Sequence, residues 1–86
     1  MQRFVHIIQN RMGLHARVAT KIFNFSLEHK TCVIKLMYKD TYIRANRLVD
    51  MMNIPAKKGE EIIFEIEGEN ETEISNKLQS LCNRIL

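Results

Sequence analysis

The chain has 86 residues, 45% apolar and 27% charged, which is the composition of one soluble globular domain and too short for two. Three Gly and one Pro exclude collagen-like and low-complexity chains. The net charge of +3 has no dense Lys/Arg block behind it, so it gives nucleic-acid binding no support and fits attraction to an acidic protein partner equally well.

A domain this small buries only about 60% of its unfolded surface, so a functional site is expected to be shallow and open. Met1 leads straight into an alternating segment, with no basic stretch followed by a long apolar run. Neither a signal peptide nor a membrane span is expected, and the cytoplasm is the expected compartment.

Residues Phe4 to Ile8 are apolar and β-branched and predict a strand. Its inward face is open to two readings, Phe4/His6/Ile8 or Val5/Ile7. Asn10 to Gly13 reads as a loop. From Ala16 the residues Ala19, Ile22, Phe23 and Ser26 fall at helical spacing, which predicts a helix to about Leu27. Cys32 to Tyr38 alternates as a strand, Lys39-Asp40 is a short turn, and Tyr42 to Ala45 returns as its hairpin partner. Asn46 is placed to cap a brief helix through Leu48, Met51 and Met52. Pro55 and Gly59 punctuate the loop that follows.

Ile62, Phe64 and Ile66 then share one strand face, with Ile63, Glu65 and Glu67 on the other. One buried and one wet face predicts an antiparallel sheet. Asn70 and Glu73 have the spacing of a capping box, and Ile74, Leu78, Leu81, Cys82 and Ile85 mark the inner face of a last helix. The expected order is β-α-β-β-α-β-α: a two-layer α+β domain over residues 1–86, with three helices on one face of a four-stranded antiparallel sheet. Cys32 and Cys82 form no CxxC pair and are expected as buried thiols, with a disulfide as the lesser alternative.

The segment Gly13-Leu14-His15-Ala16-Arg17 lies where a loop becomes a helix. The first N–H groups of a helix have no internal partner, and with the macrodipole they favour an anion by about 0.3–1 kcal/mol when exposed. Ala16, Arg17 and Val18 are the residues whose N–H groups would face such an anion. His15 stands at that end, and Arg17 can reach a phosphate through charge-assisted hydrogen bonds. Gly13 lets the backbone turn sharply. A helix N-terminus and a nearby guanidinium both disfavour an imidazolium, so a neutral, nucleophilic ring is expected at His15.

With one Arg, one helix end and no metal ligands, the site suits a carrier whose partners complete the chemistry better than a self-sufficient catalyst. Every ~1.4 kcal/mol that favours only the loaded state slows donation about tenfold, so a carrier gains from a modest site. On spacing alone, however, a single His near a helix start is more often a cap or a surface residue. His6 and His29 lack a paired ligand at metal spacing, and neither a metal nor a cofactor is expected.

Gly13-Leu14-His15-Ala16-Arg17 followed by Ala19 resembles the active-site signature of HPr, the histidine-containing phosphocarrier of the bacterial phosphoenolpyruvate-dependent sugar phosphotransferase system. Chain length, the hairpin, the Met51-Met52 helix, Lys58-Gly59-Glu60-Glu61-Ile62 and Glu67-Gly68-Glu69 extend the likeness over nearly the whole chain. The resemblance implies an open-faced β-sandwich. It implies phosphorylation of His15 at Nδ1 by enzyme I, contact of Arg17 with the phosphoryl group, and donation to IIA components of sugar transport. It also implies a stoichiometric carrier in place of an enzyme, a monomer, and an apolar docking surface at Leu48, Met51 and Met52, to which Lys21 would add charge.

Two departures stand out. Val18 replaces the proline usual in the family, and its N–H is expected to cap the unmodified imidazole. The place of the Gram-positive regulatory serine falls on Asn46 or Arg47, neither of which has a hydroxyl to phosphorylate. Two other readings compete with the carrier: an HPr-like regulatory protein-binding module without phosphotransfer, and a basic α+β nucleic-acid module, which would need exposed aromatics along a basic stripe.

Overall fold

A computed structural model describes residues Met1 to Leu86. The elements are β1 (Gln2–Ile7), α1 (Ala16–Glu28), β2 (Cys32–Tyr38), β3 (Thr41–Arg44), α2 (Leu48–Met52), β4 (Glu61–Gly68) and α3 (Glu71–Ile85). The strands form one sheet in the order β1-β4-β2-β3, and every pairing is antiparallel. This is the expected open-faced β-sandwich with its expected element order.

Alternation along the strands decides which face is buried. Ile62, Phe64 and Ile66 of β4 and Ile34, Leu36 and Tyr38 of β2 point into the core. β1 resolves to the Phe4/His6/Ile8 parity, because Phe4 pairs with Phe64 and stacks on it at 5.1 Å. Val5 and Ile7 therefore stay exposed. Val18, Ala19 and Ile22 of α1, Met51 of α2 and Ile74, Leu78 and Cys82 of α3 close the core from one side. Cys32 and Cys82 are both free and buried, and burial pushes the Cys82 thiol up to about 12.

Two helix starts differ from expectation. Asn70 does not form a capping box with Glu73: its φ of 59° is left-handed, and its side chain makes no capping bond. A capping oxygen reaches the helix N–H groups from extended backbone, a geometry that Asn70 lacks. The Glu73 carboxylate instead pairs with Lys77 at 3.3 Å, one turn along. Asn46 is likewise not the cap of α2. The Arg47 N–H closes a turn on Arg44 O (3.1 Å), and the Met51 N–H bonds to Arg47 O (3.0 Å), so the helix begins one residue later. The Arg47 side chain pairs with Asp50 at 3.4 Å.

Candidate functional site

The loop before α1 is fixed at both ends. The Gln9 and Asn10 N–H groups donate to Leu86 O at 2.6 and 2.7 Å, and Asn10 Nδ2 donates to Ile85 O at 3.0 Å. Asn10 Oδ1 accepts from the Met12 N–H at 2.8 Å, a side-chain turn of the kind Asn favours. On the other side the Leu14 N–H donates to Ala56 O at 3.1 Å, and the Leu14 side chain is buried in the core. Between them Gly13 has φ +68°, and a Cβ there would overlap the Ala56 carbonyl oxygen. Glycine meets both demands, positive φ and close backbone approach.

This loop delivers His15 to the N-cap of α1 with extended backbone (φ −95°, ψ 175°). Its carbonyl accepts the first helical bond, from the Ala19 N–H at 2.9 Å. The N–H groups of Ala16, Arg17 and Val18 precede that bond and have no partner in the fold. The half-buried His15 ring makes no capping bond, which overturns the expectation that the Val18 N–H holds it. The ring lines an open depression of about 550 Å3 instead, together with Arg17, Lys21, Asn10, Met12 and Arg84. Val18 serves the core: its side chain is 2% exposed.

Ala16, Arg17 and Lys21 are exposed as the sequence suggests. The docking residues divide. Leu48 is half-buried against the core, and Met52 is exposed. Met51 is fully buried, so it cannot touch a partner; it faces inward on α2 and fills the core, and its expected docking role is withdrawn. Val49 is the most exposed residue of this apolar rim. Arg84 and Asn10 were not evident as site residues. Arg84 comes from the far end of the chain, and only the packing of α3 brings it beside His15. The Asn-then-turn pattern is a local signal for Asn10. No cluster of three or more His, Cys, Asp or Glu is placed to hold a metal ion.

The family model described as the PTS HPr component phosphorylation site matches residues 3–84. The chain belongs to the PTS HPr family. Phosphocarrier protein NPr of Klebsiella oxytoca is 29% identical over 76 residues, covering 88% of this chain and 84% of that protein. Solved HPr structures share the fold. HPr-C-His from Thermoanaerobacter tengcongensis superposes with a TM-score of 0.87 at 23% identity, covering 96% of this chain and 92% of that one. The histidine-containing phosphocarrier protein of Mycoplasma gives 0.85 at 20% identity, covering 93% and 90%. PTS HPr proteins are phosphocarriers of the phosphotransferase system, and this chain has their fold.

Proposed function

We propose that the chain accepts a phosphoryl group from phosphoenolpyruvate-charged enzyme I at His15 Nδ1 and passes it to IIA proteins. One observation carries this reading: a reachable imidazole at a helix N-cap, beside three unpartnered N–H groups and a guanidinium without an ion-pair partner. The phosphoryl group arrives with negative charge. The N–H groups of Ala16, Arg17 and Val18, together with the Arg17 side chain, would supply donors for its oxygens.

The shallow depression supplies positioning and charge, not a closed site, so donor and acceptor proteins bring the rest of the chemistry. Lys21 at the depression and the half-buried Leu48 and exposed Met52 of α2 form the docking surface in this reading, with Met51 in the core. The chain acts as a monomer in the cytoplasm, without nucleic acid or membrane insertion. No helix is long and apolar enough to cross a membrane. Asn46 and Arg47, both exposed, carry no hydroxyl, so the serine switch of some relatives has no counterpart here.

Incubation with enzyme I and phosphoenolpyruvate tests the assignment. One acid-labile, alkali-stable phosphate per chain is expected, located on His15 by mass spectrometry and absent from His15→Ala. A protein that stays unmodified, or is modified elsewhere, would overturn it.

A further inference from the structure

Three cations border the His15 depression: Arg17 and Lys21 from α1 and Arg84 from the last turn of α3. None of the three takes part in an ion pair, as is true of most cations on this surface, so what sets them apart is their convergence on one opening. A cation in the last turn of a helix is favoured by the dipole, which accounts for a charge at position 84. It does not account for a third positive side chain on one small depression whose own lining has no Asp or Glu; Glu28, Glu71 and Glu73 line the adjoining groove instead. Three like charges facing one opening repel one another, and an anion in the opening reverses the sign of that term.

We propose that Arg84 is a second guanidinium of the phosphoryl site, sharing with Arg17 the charge of the group held on His15. This rests on His15 being the phosphoryl acceptor. The two guanidiniums approach from different helices, so the phosphoryl group is held between α1 and α3 in addition to the N–H groups at the start of α1. Lys21 and Arg84 also line the larger groove between α1 and α3, so this pair forms the boundary between that groove and the His15 depression. The assigned role is positioning and charge neutralisation, with no part in bond making.

Potassium phosphoramidate provides a test that does not need enzyme I. The His15 imidazole nitrogen displaces ammonia from phosphorus, the P–N bond of the reagent breaks, and a phosphohistidine forms. Phosphorus NMR then gives the second pKa of the bound phosphoryl group in the wild type, Arg84→Gln and Arg84→Lys, with His15→Ala to assign the signal. A second cation at the phosphoryl group favours the dianion, so Arg84→Gln should raise that pKa by at least about half a unit at low salt. Arg84→Lys should restore most of the effect, and it should fade near 1 M salt. The denaturation midpoint should fall only slightly in Arg84→Gln, which loses an exposed cation at the end of α3, and should return in Arg84→Lys.

Equal values in all three proteins, with His15 modified normally by enzyme I, would overturn the role of Arg84 and leave the carrier assignment standing. Failure of both reagents to modify His15 would overturn both.

Discussion

At the scale of single residues, Gly13 and His6 each answer to one physical constraint. Gly13 combines a left-handed φ with backbone contact to Ala56, just two residues before His15. Gly13→Ala meets a cost of roughly 1–3 kcal/mol from φ alone. The overlap with Ala56 must then move the loop that positions the imidazole. Chemical denaturation should register the loss, and phosphorylation by enzyme I should slow. Gly59→Ala is the control: φ is +90°, but open space surrounds the new Cβ, so it should lower stability and leave the phosphorylation rate alone.

His6 points inward from β1, and its Nε2 is buried without a partner. Burial lowers its pKa from 6.5, an effect the nearby Leu86 carbonyl only partly opposes. Because the folded value is below the unfolded one, the unfolded chain binds the proton more readily. Stability is then full above about pH 6.5 and falls as the pH drops below it, until the folded pKa is reached. Glu60 is held below its ordinary 4.5 by the Lys57 N–H and the Tyr38 hydroxyl, so its own titration lies lower still. The urea midpoint should therefore fall between pH 7.5 and 5, and His6→Leu should remove most of that slope. An identical slope in His6→Leu would contradict the assignment.

At the scale of elements, α2 divides its two methionines between the core and the surface, where the proposed docking face lies. Met51 is fully buried and Met52 is 44% exposed. Met51→Ala should cost about 2–5 kcal/mol of stability. Met52→Ala should change stability by less than about 0.5 kcal/mol. Its effect should fall on affinity for enzyme I or IIA, by about fivefold, since burying half a Met side chain is worth on the order of 1 kcal/mol. Calorimetric titration beside a denaturation curve separates the two effects; the reverse pattern would refute the division.

Element order was legible because alternation and helical spacing are local properties: Ile62, Phe64 and Ile66, or Ile74, Leu78 and Cys82, announce their faces unaided. The parity of β1 was not, because both of its faces are apolar and only the Phe4–Phe64 contact separates them. The Asn46 cap and the Asn70–Glu73 capping box misled for a related reason, although Asn70 does hold the N-cap position of α3. Residue type favours a cap, but backbone conformation set by the neighbouring turns decides whether the side chain can act as one. His15 and Arg17 were legible because they share one short segment. Arg84 was not, since it joins them only through tertiary packing.

At the scale of the molecule, the helices close one face of the sheet, and the loop before α1 is clamped between Ala56 and the end of α3. The His15 depression thus rests on a loop tied at both ends while remaining open to solvent, as the proposed exchange between two partner proteins at one imidazole requires. Acceptance alone would also fit a regulatory switch, so donation is the more demanding property. The direct measurement loads the protein through enzyme I, removes the donor, adds IIA proteins, and follows the phosphate by rapid quench. Phosphate should leave His15 and appear on a IIA histidine in stoichiometric amount, faster than it is lost to water. Phosphate that stays on His15, or departs only by hydrolysis in the presence of every IIA tested, would contradict the carrier account.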